Sequence, residues 1–180
     1  MVKKIADMIF DGKVIGVVRG RFEWGPRALG GRSILADPRS KKMKDRVNAK
    51  IKFREAFRPF APVTLYDKAL LYYELEKSDL IKPLEYMIAV VKVREKYRKN
   101  LGAITHVDGT ARPQLIRREV NPFYYDLVKE FGNRSGIYTL LNTSFNLKGE
   151  PIVNTSLDAY KTFQKSGIDA LVLGNYLVVK

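Results

Sequence analysis

Apolar runs of strand length alternate with stripes of helical period along the whole of this chain, and that alternation restricts its fold more than any other feature. Val2 to Asp11 places Ile5, Met8 and Ile9 on one helical face, with Gly12 as terminator, and Lys13 to Arg19 reads as a buried strand. "SILAD" is a second short strand, and Lys41 to Lys52 predicts a helix with the inner stripe Met43, Val47 and Ile51. Two prolines keep "FREAFRPFAPVTLY" extended into a strand near Pro62 to Tyr66. Tyr66 to Ile81 is helical or irregular, whereas the β-branched run "YMIAVVKV" predicts an interior strand. Asn121 as N-cap, Pro122 at the first helical position, the face Tyr124, Leu127, Val128, Phe131 and Gly132 as C-cap mark a further helix. "IYTLLNTS" is a strand, Thr155 and Asp158 form a capping pair ahead of another helix, and "DALVLGNYLVVK" closes the chain in two short strands. Strands interleaved with helices indicate the α/β class.

At 180 residues and 46% apolar content the chain supports one domain, 1–180, around a single sizeable core. No stretch approaches the roughly 20 apolar residues of a spanning helix, and the first residues form an amphipathic pattern without a signal-peptide core; a cytoplasmic location without membrane contact is expected. The absence of cysteine excludes disulfides, thiolate ligands and a thiol nucleophile, and a single histidine leaves little for a transition metal, so no protein-held metal site is expected. No Ser-His-Asp triad or paired-carboxylate spacing emerges.

The formal net charge is +14, from 33 Lys and Arg against 19 Asp and Glu, an excess that draws anions. Its distribution is uneven: Arg19 to Arg58 holds 13 basic and 4 acidic residues, net +9. Within it, "GRFEWGPRALGGRS" follows a strand and sets Arg21, Arg27 and Arg32 on a glycine-flanked turn. Glycine admits close backbone approach, and guanidinium forks bind phosphate or carboxylate bidentately. The loop lacks the Gly-Lys-Ser/Thr end of a P-loop, and a solvated surface loop would also carry such arginines.

Three further stretches carry polar chemistry. "KIKFREAFRPFAP" spaces Lys50, Lys52 and Arg54 with period two, with Arg58 beyond, around Phe53, Phe57 and Phe60, so that aromatics bury while cations face a cleft. "NTSFNLKGEP" sets Asn142, Thr143, Ser144 and Asn146 at the C-terminal end of a strand, where ligands meet open α/β sheets; local Asx and Ser/Thr turns would use the same residues. "ITHVDGTARPQ" brings His106, Asp108, Thr110 and Arg112 together, with His106 either a proton-transfer group or a hydrogen-bonded structural residue.

With "GRFEWGPRALGGRSILADPR", "NAKIKFREAFRPFAP", "THVDGTARPQ", "NTSFNLKGEPIV" and "DALVLGNYL" in this order and spacing, the chain resembles, from about Ile5 onward, the C-terminal domain of the carbamoyltransferases of the NodU and antibiotic O-carbamoyltransferase type. The resemblance implies a YrdC-like fold, an open twisted mixed sheet with flanking helices and a basic concave face. It further implies that this domain binds carbamoyl phosphate and ATP, with Mg2+ arriving on the nucleotide, and forms carbamoyladenylate. A separate N-terminal actin-like domain would then transfer the carbamoyl group to an acceptor hydroxyl, making the chain an excised domain or one half of a split enzyme. By motif match, Lys52, Arg58 and Arg112 would serve the carbamoyl phosphate end catalytically. Arg27, Arg54, His106 and Thr110 would bind substrate, and Asn142, Ser144 and Asn146 the nucleotide. The alternative is a basic YrdC-like module for RNA or tRNA. It is disfavoured because the aromatics are spaced for burial and the polar residues cluster at loop ends.

Overall fold

The computed structural model describes residues 1–53, 55, 58–79 and 82–180. Arg54, one of the expected anion contacts, lies outside the described residues, as does Phe57. Helix α1 (Val2–Phe10) buries Ile5, Ala6 and Ile9, and the chain turns at Gly12 with φ +81°, where a Cβ would be strained. It enters strand β1 (Ile15–Val18), rounds the glycine-rich loop and returns as β2 (Arg32–Ala36), both wholly buried. Helix α2 (Lys41–Val47), capped by the Ser40 hydroxyl, continues into a π-helical turn, Asn48–Lys52. The helix expected over Lys41 to Lys52 is thus built in two geometries. Strand β3 (Ala61–Leu65) is followed by short pieces: α3 (Ala69–Tyr72), α4 (Lys82–Glu85), β4 (Val91–Lys92), α5 (Glu95–Arg98), β5 (Thr110–Ala111) and β6 (Gln114–Ile116). Helix α6 (Pro122–Ser135), β7 (Thr139–Ser144), α7 (Ser156–Lys165), β8 (Ala170–Leu173) and β9 (Tyr176–Val179) complete the chain.

Seven strands form one open mixed sheet in the order β6, β3, β7, β2, β1, β8, β9. The β1–β8 and β3–β6 pairs are parallel and the remaining ones antiparallel. Helix α6 packs on α1 and on β3 and β7, and α7 packs on β8 and β1. Phe60, Tyr72, Tyr73, Tyr124, Phe131, Phe145 and Phe163 are buried in one continuous core. The expected open mixed sheet with flanking helices is therefore the one found.

Two expectations fail in detail. "YMIAVVKV" is not an interior strand: only Val91–Lys92 pairs, in a separate two-stranded ribbon with Thr110–Ala111, and Ile88 and Val90 are exposed. The edge of β3 that an interior strand would need is occupied by Gln114–Ile116, a segment whose arginine and proline neighbours hid its strand character. Gly132 likewise does not end its helix. It lies inside α6 with the Tyr138 ring against it, leaving no room for a Cβ, and the left-handed cap falls at Gly136, φ +76°.

Candidate anion-binding site

The loop between β1 and β2 is held by its one acid. The Glu23 carboxylate accepts from the backbone N–H groups of Leu29 (2.9 Å), Gly31 (2.6 Å) and Arg32 (3.1 Å), folding the turn around itself. Gly30, at φ +112°, lies against the Tyr124 ring, where a Cβ would come within 2.5 Å. The loop's arginines divide by partner. Arg32 is buried and donates to the carbonyls of Asn154, Gly20 and Gly31. Arg19 donates to the Gly174 carbonyl (2.6 Å) and stacks on Phe123. Both serve the scaffold, whereas Arg27 is exposed at the turn and borders a groove.

That groove consists of two adjoining cavities. One, of about 400 Å³, is lined by Arg58, Pro59, Phe60, Ala61, His106 and Arg112. The other, of about 100 Å³, shares Pro59, Phe60, Ala61 and Arg112 and adds Arg27, Asn142 and Ser144 on its wall. Arg112 sits at the junction. Its guanidinium lies below its ordinary pKa through partial burial and then through the charge of Arg27. Among the described residues neither Arg27 nor Arg112 has a carboxylate within ion-pair distance, and Arg58 has only the exposed Glu55 at 3.4 Å. Two like charges held together without an acid between them raise the local positive potential.

The groove floor is the end of β7. Asn142 is buried and donates through Nδ2 to the carbonyl of Ala28 and to Gln114 Oε1, each at 3.0 Å, while Gln114 donates to the Leu29 carbonyl (2.9 Å). These bonds tie the arginine loop to the sheet. Lys52, itself buried, directs its ammonium at Ser144 O (2.6 Å), Asn146 Oδ1 (2.7 Å), Asn146 O (3.1 Å) and Ser144 Oγ (3.2 Å). Behind the cavity-lining His106, the Thr110 hydroxyl donates to Asp108 (2.7 Å) and meets His106 Nδ1 at 2.9 Å. Burial, then the charges of Arg112 and Lys44, depress the His106 pKa against the opposing pull of Asp108, keeping the ring neutral near pH 7.

Of the sequence-expected residues, Arg27, Arg58, His106, Arg112, Asn142 and Ser144 line the two cavities. Lys52, Thr110 and Asn146 do not line them: Lys52 and Asn146 bond to each other and to Ser144 at the end of β7, and Thr110 orients His106. The sequence offers Arg32 among the loop's arginines and sets Gln114 beside Arg112 towards the same cleft, whereas Arg32 is tied to backbone carbonyls and Gln114 to Leu29 and Asn142; the fold-holding role of Glu23 was missed, although a lone acid in so basic a loop was a usable signal. A cavity of about 490 Å³ on the other side of the loop, between β6 and the start of α6, contains none of the residues expected to bind substrate or nucleotide, although Arg21 and Gln114 line it. Two of its arginines are satisfied within the protein, Arg19 as above and Arg117 by Glu85 and the Tyr66 ring.

Residues 6–180 match the family described as Carbamoyltransferase C-terminus. The chain belongs to this family. It is 51% identical to nodulation protein NolNO of Sinorhizobium fredii over all of its length and 26% of the relative's. It is 38% identical to the 3'-hydroxymethylcephem-O-carbamoyltransferase of Amycolatopsis lactamdurans over 96% of this chain and 32% of that one. The chain thus spans about a quarter to a third of these relatives. Among solved structures, full-length HypF in its phosphate- and nucleotide-bound form superposes with a TM-score of 0.69 at 17% identity, over 99% of this chain and 21% of HypF. The Carbamoyltransferase C-terminus domain described here therefore has the YrdC-like fold.

Proposed function

We propose that this domain binds carbamoyl phosphate and ATP in the arginine-lined groove and forms carbamoyladenylate, which a preceding actin-like domain transfers to an acceptor hydroxyl. The observation that carries this reading is the acid-free pair of Arg27 and Arg112 beside Arg58. Family membership supplies the carbamoyl group, and the HypF structure of the same fold holds phosphate and nucleotide. The balance is simple. Water cleaves the P–O bond of carbamoyl phosphate, giving carbamate and inorganic phosphate; a carbamate oxygen then attacks the α-phosphorus of ATP, and the α–β P–O bond breaks to release pyrophosphate.

In this scheme the chain acts by position and charge. Arg58 and Arg112 neutralise the oxygens of the carbamoyl donor, and Arg27, with Arg54, meets the polyphosphate. Lys52 presents its charge through the Ser144 to Asn146 turn, which it holds in place for nucleotide contacts. Mg2+ would arrive with ATP, since among the described residues no three His, Asp or Glu side chains come together. Incubating the chain with fresh carbamoyl phosphate and ATP should release pyrophosphate only when both are present, and Arg112→Ala should suppress it. Calorimetry showing that the chain binds neither compound would refute the assignment.

A further inference from the structure

We infer that His106 is the group that reads the amide of the carbamoyl donor, so that the groove selects a carbamoyl group over an acyl group of the same shape. The inference rests on the reading above that carbamoyl phosphate enters the cavity of Arg58 and Arg112, and it assigns the selectivity of that site.

Proton counting fixes the tautomer of His106. The Thr110 hydroxyl carries one hydrogen, which it donates to the Asp108 carboxylate at 2.7 Å. It can therefore only accept at its 2.9 Å contact with His106 Nδ1, which fixes that nitrogen as the N–H donor. In a neutral ring Nε2 is then an acceptor, and among the described residues it has no protein partner. The backbone holds this arrangement independently: His106 N–H donates to the Thr110 carbonyl (2.8 Å), Gly109 N–H to the His106 carbonyl (3.0 Å), and Thr110 N–H to Asp108 (3.0 Å). Asp108 fixes the hydroxyl, the hydroxyl fixes the tautomer, and the tautomer leaves a lone pair on a residue that lines the cavity.

The cavity's other polar side chains cannot supply that function. Its described lining is Arg58, Pro59, Phe60, Ala61, His106 and Arg112, and guanidinium groups donate only. A phosphate or carbonyl oxygen is satisfied by the arginines. An NH2 group, which needs acceptors, finds among these side chains only His106 Nε2. Carbamoyl phosphate carries both features, whereas acetyl phosphate replaces NH2 by a methyl group and would leave Nε2 without its bond.

The test compares carbamoyl phosphate with acetyl phosphate, by calorimetry on the intact chain with freshly dissolved ligands at pH 7.5. The wild type should prefer carbamoyl phosphate by about 2- to 13-fold, the range of one net hydrogen bond. His106→Leu should bring the ratio to about one, and using a ratio cancels any general loss of anion binding. His106→Gln, whose side-chain oxygen reaches a comparable position, should restore the preference. The groups facing His106 are Asp108, Arg112, Lys44 and the cavity's Arg58. With two arginines and a lysine against one carboxylate, acid should protonate Nε2 only below about pH 6.5, abolishing the wild-type preference while the glutamine variant retains it. Wild-type binding with a ratio that His106→Leu leaves unaltered would overturn the inference and leave the substrate reading intact. Failure of the wild type to bind either phosphate compound would overturn both.

Discussion

Replacing Lys52 by methionine separates two roles that sequence reasoning merged. The motif match makes Lys52 a substrate contact, but its ammonium lies within 3.2 Å of four oxygens of Ser144 and Asn146. An ammonium has three hydrogens, so at most three of these bonds form at once. Hydrogen bonds to a charged group are worth about 1.5–3 kcal/mol each, and the oxygens left without their donor are neutral. Methionine fills most of the volume, so lost packing adds little. Taking about 3 kcal/mol, and about 2–4 °C per kcal/mol for a chain of this size, Tm should fall by about 6–12 °C. Arg58→Ala is the control: its pair with Glu55 is exposed on both sides, and its Tm should stay within about 1–2 °C of wild type. Thermal melts and urea midpoints of the three proteins, measured without ligand, decide the matter. A Lys52→Met protein that melts with the wild type but fails to bind carbamoyl phosphate would refute this structural role and return Lys52 to the substrate.

Arg27→Ala and Arg112→Ala should each weaken phosphate-compound binding by roughly 10- to 150-fold, the loss of one charge-assisted contact, while leaving Tm equal to or above wild type, because each removes a like-charge neighbour; calorimetry paired with melting checks both signs. Gly132→Ala should destabilise by about 1–3 kcal/mol through overpacking, since its Cβ would meet the Tyr138 ring, and Gly132→Ala with Tyr138→Ala should recover part of the loss in urea titrations. The His106 pKa lies below its unfolded value of about 6.5, so the unfolded chain binds more protons just below that pH. This stability contribution is complete above about pH 6.5 and is lost as pH falls from there through the folded value, a loss that His106→Gln should remove from a pH series of urea midpoints.

Exposed apolar residues border the groove. Trp24 is fully exposed three residues from Arg27, Val107 adjoins His106, and Ile88 adjoins Met87 on the cavity wall. Large exposed hydrophobes beside a functional groove are a feature of interaction surfaces. The relatives' greater length supplies a candidate partner within their own chains.

The sequence alone determined the α/β class, the helix α1, the capped starts of α6 and α7, and the order of the strands β1, β2, β3, β7, β8 and β9. Each of these is encoded locally, in apolar periodicity or in a capping residue within a few positions. It also located the concentration of positive charge, because an excess of +9 confined to Arg19 to Arg58 needs no tertiary information to be read. Only the tertiary structure decided which cations are scaffold and which face the groove. Arg32 and Arg27 look alike in sequence, yet one is buried on three carbonyls and the other lies bare beside Arg112. The same holds for the edge strand: Gln114–Ile116 outcompeted the more apolar Tyr86–Val93 for β3. Both outcomes depend on which distant backbone arrives alongside, and side-chain identity carries no record of that.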